Sequence, residues 1–199
     1  MKGSLIILGF FVAGCLMGRL NILPEWVADD ALATYSLYTL LFLVGMSIGF
    51  DTRCWRVLRE MHLKVLLVPV FIIIGTFCGA AAASLLLGDM PLLHALGVGA
   101  GFGYYSLSSI MITKMVDPVL GSVALMSNII RELTTLLTAP LLTRVFGKLG
   151  PVAGGGATAM DTTLPIIVRC SGERYGIVAV FSGMFLTVAV PLLVTFIFS

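Results

Sequence analysis

Long apolar stretches separated by short polar ones dominate this chain. A helix needs about 20 residues to cross the hydrocarbon core of a bilayer, and that length divides the chain into about seven membrane segments. They cover residues 5–18, 35–50, 65–87, 92–115, 119–146, 152–168 and 175–198. The first and sixth segments are short and interrupted by glycine, and the fifth is longer than a crossing requires. The pattern predicts an all-α integral membrane protein with a single transmembrane domain over residues 1–199.

Basic residues give these segments an orientation. The loop 51–64 contains Arg53, Arg56, Arg59 and Lys64. Such loops face the cytoplasm, which places the N-terminus inside and the C-terminus outside. Arg169 and Arg174 then fall inside, in agreement with the rule, whereas Arg144 and Lys148 fall outside and disagree with it. The alternative is a re-entrant sixth segment, which would enter and leave the membrane on one side.

Glycine and polar residues interrupt the fourth and sixth segments. The fourth contains GVGAGFG (97–103) followed by YYSLSS (104–109), and the sixth contains GGG (154–156) followed by ATAMDTTLP (157–165). Glycine loses much backbone entropy in a helix and proline lacks a donor, so both segments are poor continuous helices. Freed backbone groups at membrane depth need partners from protein or cavity water. The sequence therefore predicts discontinuous helices around a cavity, although glycines that only permit close helix packing remain the alternative.

Two carboxylates lie in these apolar surroundings. Glu132 is in the fifth segment and Asp161 is in the break of the sixth. Ionisable groups at membrane depth usually mark an ion or substrate path, and broken helices aim their ends at such sites in transporters. Two carboxylates on separate elements suit a cation with two amino groups, or one cation exchanged for protons. A structural salt bridge between Arg131 and Asp161 is the alternative interpretation.

The polar residues around the two acids complete the predicted site of a transporter domain. Asn128 and Glu132 share one face of a helix, because residues four apart are neighbours on its surface. The candidate residues for binding substrate or protons are Glu132, Asp161, Asn128, Arg131, Thr162, Thr163, Thr158, Tyr104, Tyr105, Ser106 and Ser108.

Composition narrows the function classes. Only 11% of the 199 residues are charged and 59% are hydrophobic, whereas soluble domains average about 25% charged residues. A net charge of +2 does not indicate nucleic-acid binding. The four cysteines are scattered without ligand spacing, which argues against a disulfide framework or a zinc site. No G-x-S-x-G, H-E-x-x-H or G-x-G-D motif is present, so neither an enzyme nor a bound cofactor is predicted.

Segment order indicates an incomplete inverted repeat. The interrupted first and sixth segments should run in opposite directions, five elements apart, and such matched interruptions point to a transporter's binding site. Two inverted halves of five helices would need about ten spans, and this chain supplies about seven. On that interpretation, about three N-terminal helices are missing.

Four motifs together resemble the bacterial lysine exporter family. They are LLFLVGMSIGF (40–50), GFGYYSLSS (101–109), GSVALMSNIIREL (121–133) and GGATAMDTTLP (155–165), and the similarity runs over essentially the whole chain. The resemblance implies an inner-membrane exporter of L-lysine and its toxic analogue thialysine, driven by the proton gradient. It also implies that Glu132 and Asp161 are the two membrane acids on which export depends.

The chain departs from the family pattern in two ways. Tyr104 stands where the family often has tryptophan, and an N-terminal membrane region common in the family is absent, so the chain resembles the C-terminal two-thirds. The expected partners are L-lysine or a similar cationic amino acid, the lipid bilayer, and either a second copy or a small companion membrane subunit. A sodium–proton antiporter or sodium-coupled symporter of similar fold is the alternative, with Asp161, the threonines and backbone carbonyls holding the ion.

Overall fold

The computed structural model describes residues 65–88 and 90–199, together with isolated helical positions at 16, 17, 19, 35, 39, 42, 43 and 46. Two compact units are present, Met1–Leu43 and Val44–Ser199, and all the helices described below lie in the second unit. The predicted segments 5–18 and 35–50 and the basic loop 51–64 otherwise fall outside the described residues. The expectation of one domain over residues 1–199 stays a prediction.

Every regular element in the described part of the chain is a helix. The elements are α1 (Leu67–Leu87), α2 (Leu92–Gly99), α3 (Tyr105–Met115), α4 (Pro118–Phe146), α5 (Gly150–Gly155), a 3-10 helix (Gly156–Met160), α6 (Leu164–Ser171) and α7 (Glu173–Phe198). By length and composition, α1 and α7 are able to cross a membrane. α4 has 29 residues, a length of about 43 Å at 1.5 Å per residue. It carries the polar residues Asn128, Arg131 and Glu132 at its middle.

Two of the predicted segments are interrupted, as the glycine pattern indicates. The first broken segment consists of α2, a first break at residues 100–104, and α3. The second broken segment consists of α5, a second break at residues 156–163 that includes the 3-10 helix, and α6. The predicted segments 65–87, 119–146 and 175–198 form the continuous helices α1, α4 and α7, with ends shifted by one or two residues.

Backbone angles show why the breaks need glycine. Gly103 has a φ of 98° and Gly156 a φ of 60°, in the left-handed region where a Cβ is costly. Pro151 and Pro165 lie in the first turns of α5 and α6, where the missing N–H has no helical partner in any case. In the second break, Gly156 thus ends one half-helix and Pro165 lies in the first turn of the next.

The second broken segment starts from the C-terminal end of α4. A Cβ added to Gly150 would lie 2.5 Å from the Leu142 carbonyl oxygen. Four residues later, a Cβ added to Gly154 would lie 2.9 Å from the Thr135 hydroxyl oxygen. Helix α5 therefore runs back along α4 toward its middle.

After the second break, α6 returns to the same end of α4. α6 and α7 meet at the turn at Gly172, and a Cβ at Gly176 would lie 2.6 Å from Cγ2 of Val168. Lys148, just after α4, places its Nζ 5.7 Å from the ring centre of Tyr175 in the first turn of α7. Both ends of the second broken segment therefore lie at the C-terminal end of α4.

The first broken segment lies at the opposite end of α4. Its helix α3 runs from the middle of α4 to its start, where Gly121 packs against Thr113. Its helix α2 lies against the end of α7, because the rings of His94 and Phe198 are 6.3 Å apart between centroids. With 26 residues, α7 is about 39 Å long, so Phe198 lies far from the end that holds Lys148.

Candidate functional site

The two breaks contact each other directly beside the middle of α4. The backbone N–H of Ala157 donates to the Phe102 carbonyl at 2.8 Å, and Phe102 is fully buried. A Cβ at Gly103 would lie 3.0 Å from the Gly155 carbonyl oxygen, and one at Gly156 would overlap the Phe102 carbonyl. Glycine at these positions therefore permits one backbone to lie on the other.

Asn128 of α4 holds the first break. Its Oδ1 accepts from the Gly103 N–H at 2.7 Å. Its Nδ2 donates to the Ala124 carbonyl at 2.8 Å and to the Val98 carbonyl at 3.3 Å. The side chain is buried, and it replaces helical hydrogen bonds that the break removes from the first broken segment.

Arg131, one turn further along α4, holds the second broken segment. Its Nε donates to the Gly154 carbonyl at 2.9 Å and its Nη2 to the Ala153 carbonyl at 3.0 Å. Its Nη1 lies 3.3 Å from the Thr76 hydroxyl of α1. The alternative predicted from the sequence, a salt bridge to Asp161, is not among the described contacts of Arg131.

The two acids belong to elements that meet near this contact between the breaks. Glu132 follows Arg131 on α4 and is half-buried, whereas Asp161 is exposed in the second break. The Asp161 carboxylate accepts from the backbone N–H of Thr162 at 2.6 Å and from its hydroxyl at 3.3 Å. Tyr104 ends the first break and Tyr105 begins α3, and the first break is bound to Asn128, one turn before Glu132. The fold therefore places both acids and both tyrosines on elements that meet at the contact between the breaks.

Three of the predicted hydroxyl groups donate to backbone carbonyls in or beside the breaks. Thr158 Oγ1 donates to the Gly155 carbonyl at 2.9 Å, and Thr163 Oγ1 donates to the Thr158 carbonyl at 3.0 Å. Ser108 Oγ donates to the Tyr104 carbonyl at 3.0 Å. All three side chains are buried. By contrast, Ser106 is half-buried and Thr162 is exposed beside Asp161.

Some residues that shape the site carry no signal in the sequence. Thr76 lies in an apolar helix 55 positions before the arginine that it contacts. On α7, a Cβ at Gly183 would lie 2.8 Å from the Ala157 carbonyl oxygen, and Thr187 Oγ1 lies 3.9 Å from the sulfur of Met160. The spacing of Gly183 and Thr187 shows only that small residues share a helix face. It does not show that this face supports the second break.

Known proteins resemble this chain over almost its full length. The family model described as "Lysine exporter LysO" matches residues 8–198. "Lysine exporter LysO" of Escherichia coli K12 is 32% identical over 195 residues, which make up 97% of this chain and 63% of that protein. "Putative lysine exporter" of Haemophilus influenzae is 31% identical over 183 residues, 89% of this chain and 92% of that protein.

The chain thus spans less than two-thirds of the Escherichia coli relative and nearly all of the Haemophilus one. No solved structure matches the chain significantly. The family resemblance drawn from the four motifs is confirmed. The chain belongs to the lysine exporter LysO family, which consists of membrane transporters and not of enzymes.

Proposed function

We propose that this protein exports L-lysine, and with it thialysine, across the bacterial inner membrane in exchange for protons. The observation that carries this proposal is that both acids lie on elements that meet where the two broken helices touch. Glu132 follows Arg131, which binds α5, and Asp161 lies in the second break. Neither acid has a cationic partner among the described residues that an ammonium group would need to displace. The names of both relatives point to the same substrate.

Lysine matches the chemistry of this region. Its two ammonium groups suit two separate carboxylates, and the rings of Tyr104 and Tyr105 offer faces that attract cations. Ser106 and Thr162 add hydroxyl groups beside the acids. The other five candidate residues form backbone hydrogen bonds that maintain the breaks. They are Asn128, Arg131, Thr158, Thr163 and Ser108.

The same carboxylates account for exchange. Each one holds either a proton or an ammonium group, since protonation removes the charge that attracts the cation. Lysine entering from the cytoplasm therefore displaces protons, and protons entering from outside displace lysine. The inward proton gradient then drives net export.

Both broken segments are re-entrant in the arrangement that we propose. They enter from opposite faces of the membrane and meet at its middle, as in part of a crossed-helix inverted-repeat transporter. Arg144, Lys148, Arg169 and Arg174 then share one face, because they all lie at or beyond the C-terminal end of α4. That face is cytoplasmic by the positive-inside rule. This arrangement keeps the N-terminus inside and the C-terminus outside. It also places Arg144 and Lys148 on the cytoplasmic face, so that they no longer disagree with the positive-inside rule.

A second copy or a small companion membrane subunit completes the transporter in this proposal. The supporting observation is the extent of apolar surface on the long helices. Of the 21 residues of α1, the structure buries Pro69, Ile72 and Ser84. On α4, Ile130 is 61% exposed and Leu137 is 80% exposed. Lipid covers part of this surface, and the partner covers the rest.

Efflux of labelled lysine tests the proposal. Cells that express the chain alone, and cells that also express any small membrane protein encoded beside it, are compared with cells that carry an empty vector. Expected results are lysine efflux that stops when the proton gradient is collapsed and continues when sodium is replaced by choline. Competition by ornithine and arginine measures selectivity. Sodium-dependent flux without lysine dependence would contradict the proposal and favour the sodium-coupled alternative.

A further inference from the structure

Three polar residues on α4 are placed to act together on the two breaks. Asn128 binds the first break, Arg131 binds the second broken segment, and Glu132 is one of the two acids. Positions 128, 131 and 132 are three and four residues apart, so they lie within little more than one helical turn. The backbone of α4 therefore connects Glu132 to Arg131, and Arg131 binds the second broken segment, which carries Asp161.

We propose that Arg131, supported by Thr76, is a positioning residue that sets the second break, and with it Asp161, relative to Glu132. The inference rests on the proposed function in one respect, that the two acids act as a pair. The placement itself rests on the three hydrogen bonds of the guanidinium group.

Helix α5 needs side-chain hydrogen-bond donors at its C-terminal end. It has only six residues and stops at Gly155, so its last carbonyls lack the N–H partners that a continuing helix supplies. At membrane depth such carbonyls must be satisfied by protein or by cavity water. Arg131 satisfies those of Ala153 and Gly154, and its positive charge lies at the negative end of the helix dipole.

The shape of the guanidinium group matters as much as its charge. Three of its nitrogens donate in three directions, to two carbonyls of α5 and to the hydroxyl of Thr76 on α1. A lysine ammonium is a compact charge on a flexible stem and does not reproduce this planar fork. Thr76 accepts from the third nitrogen of the fork, so α1, α4 and α5 are joined through one guanidinium group.

The competing role is direct contact with substrate. Lysine carries an α-carboxylate, and an arginine is a natural partner for a carboxylate. Direct contact with substrate needs the positive charge of Arg131 but not the hydroxyl of Thr76. The two roles therefore predict different export rates in a matched set of variants. The Arg131→Lys, Arg131→Gln, Thr76→Val and Thr76→Ser substitutions separate the two roles. Thr143→Val serves as a control, since the described hydrogen bond of the Thr143 hydroxyl is to the Ala139 carbonyl of its own helix.

A positioning role predicts one pattern of maximal export rates at saturating lysine. Arg131→Lys and Arg131→Gln should both lower the rate roughly tenfold or more, since bonds to a charged group are lost. Thr76→Val should lower it severalfold, and Thr76→Ser and Thr143→Val should leave it near wild type. Thr76→Val should add little in the Arg131→Lys background, because both changes disrupt one contact. Near-normal export by Arg131→Lys together with a silent Thr76→Val would overturn the proposal.

A second readout does not depend on lysine being the substrate. A cysteine at Thr162, beside Asp161 and exposed, reports the position of the second break through its rate of reaction with a membrane-impermeant maleimide. The native cysteines are first replaced by alanine. The proposal predicts an altered rate in the Arg131→Lys and Thr76→Val variants, with an unchanged rate for a cysteine at Lys148. Unaltered labelling at 162 in both variants would overturn the positioning role, whatever the transported cation proves to be.

Discussion

At the scale of single residues, Arg131 donates to backbone carbonyls of α5 and not, among its described contacts, to an acid. Glu132 and Asp161 stand out in the sequence because charge is rare at membrane depth. The partners of Arg131 cannot be read from residue types, because the complementary charges in the predicted membrane segments are those of Glu132 and Asp161. The actual partners are the carbonyls of Ala153 and Gly154, which exist as free acceptors only because α5 ends there. A break in a helix leaves carbonyl groups without helical hydrogen-bond donors, and the residue types in the sequence do not reveal where these carbonyls lie.

Gly156 gives a direct test at this scale. Alanine at this position requires a φ of 60° and places a Cβ against the Phe102 carbonyl and 3.1 Å from Nη2 of Arg131. The Gly156→Ala variant should lose roughly 1–3 kcal/mol of stability, measured by thermal unfolding of the purified protein in detergent. Gly75→Ala is the matched control, since Gly75 has a helical backbone and no described atom lies within 4 Å of the added Cβ. A Gly156→Ala protein as stable as the control would count against the close contact of the breaks.

At the scale of elements, the sequence predicts helices better than it predicts their direction. Apolar length places α1, α4 and α7 to within a residue or two, and clustered glycine places both breaks. Two half-helices separated by glycine have the same composition whether the chain continues across the membrane or turns back. The contact between Lys148 and Tyr175 supplies the missing information, because it joins the two ends of the second broken segment.

Labelling from each side of the membrane tests these directions. Single cysteines at Lys148 and Arg174 should react with an impermeant reagent from the same side, since both lie at the C-terminal end of α4. A cysteine at Ser199 should react from the opposite side, because α7 is about 39 Å long. Expression level and wild-type export serve as controls for folding. Reaction of Lys148→Cys and Arg174→Cys from opposite sides would show that the second broken segment crosses the membrane.

At the scale of the whole molecule, the two broken segments come from opposite ends of α4 and meet at its middle. The acids therefore lie near the contact between the two breaks, and one broken segment leads to this contact from each end of α4. Such a position suits a site that opens to each face of the membrane in turn. The apolar composition indicates a membrane protein but carries no information about this meeting point. The motifs identify the family, yet the relatives differ in length, so sequence alone leaves open whether the working unit is one chain or several.

The most direct test of the central claim is lysine efflux by variants in which one acid becomes its amide. Glu132→Gln and Asp161→Asn keep the size of each side chain and remove its charge. Glu173→Gln is the matched control, because Glu173 is an exposed acid in the first turn of α7, outside the site. We expect each site variant to fall to about a tenth of wild-type efflux or less, since the cation loses a carboxylate partner, while Glu173→Gln exports normally at equal abundance. Normal lysine efflux by both amide variants would contradict the account.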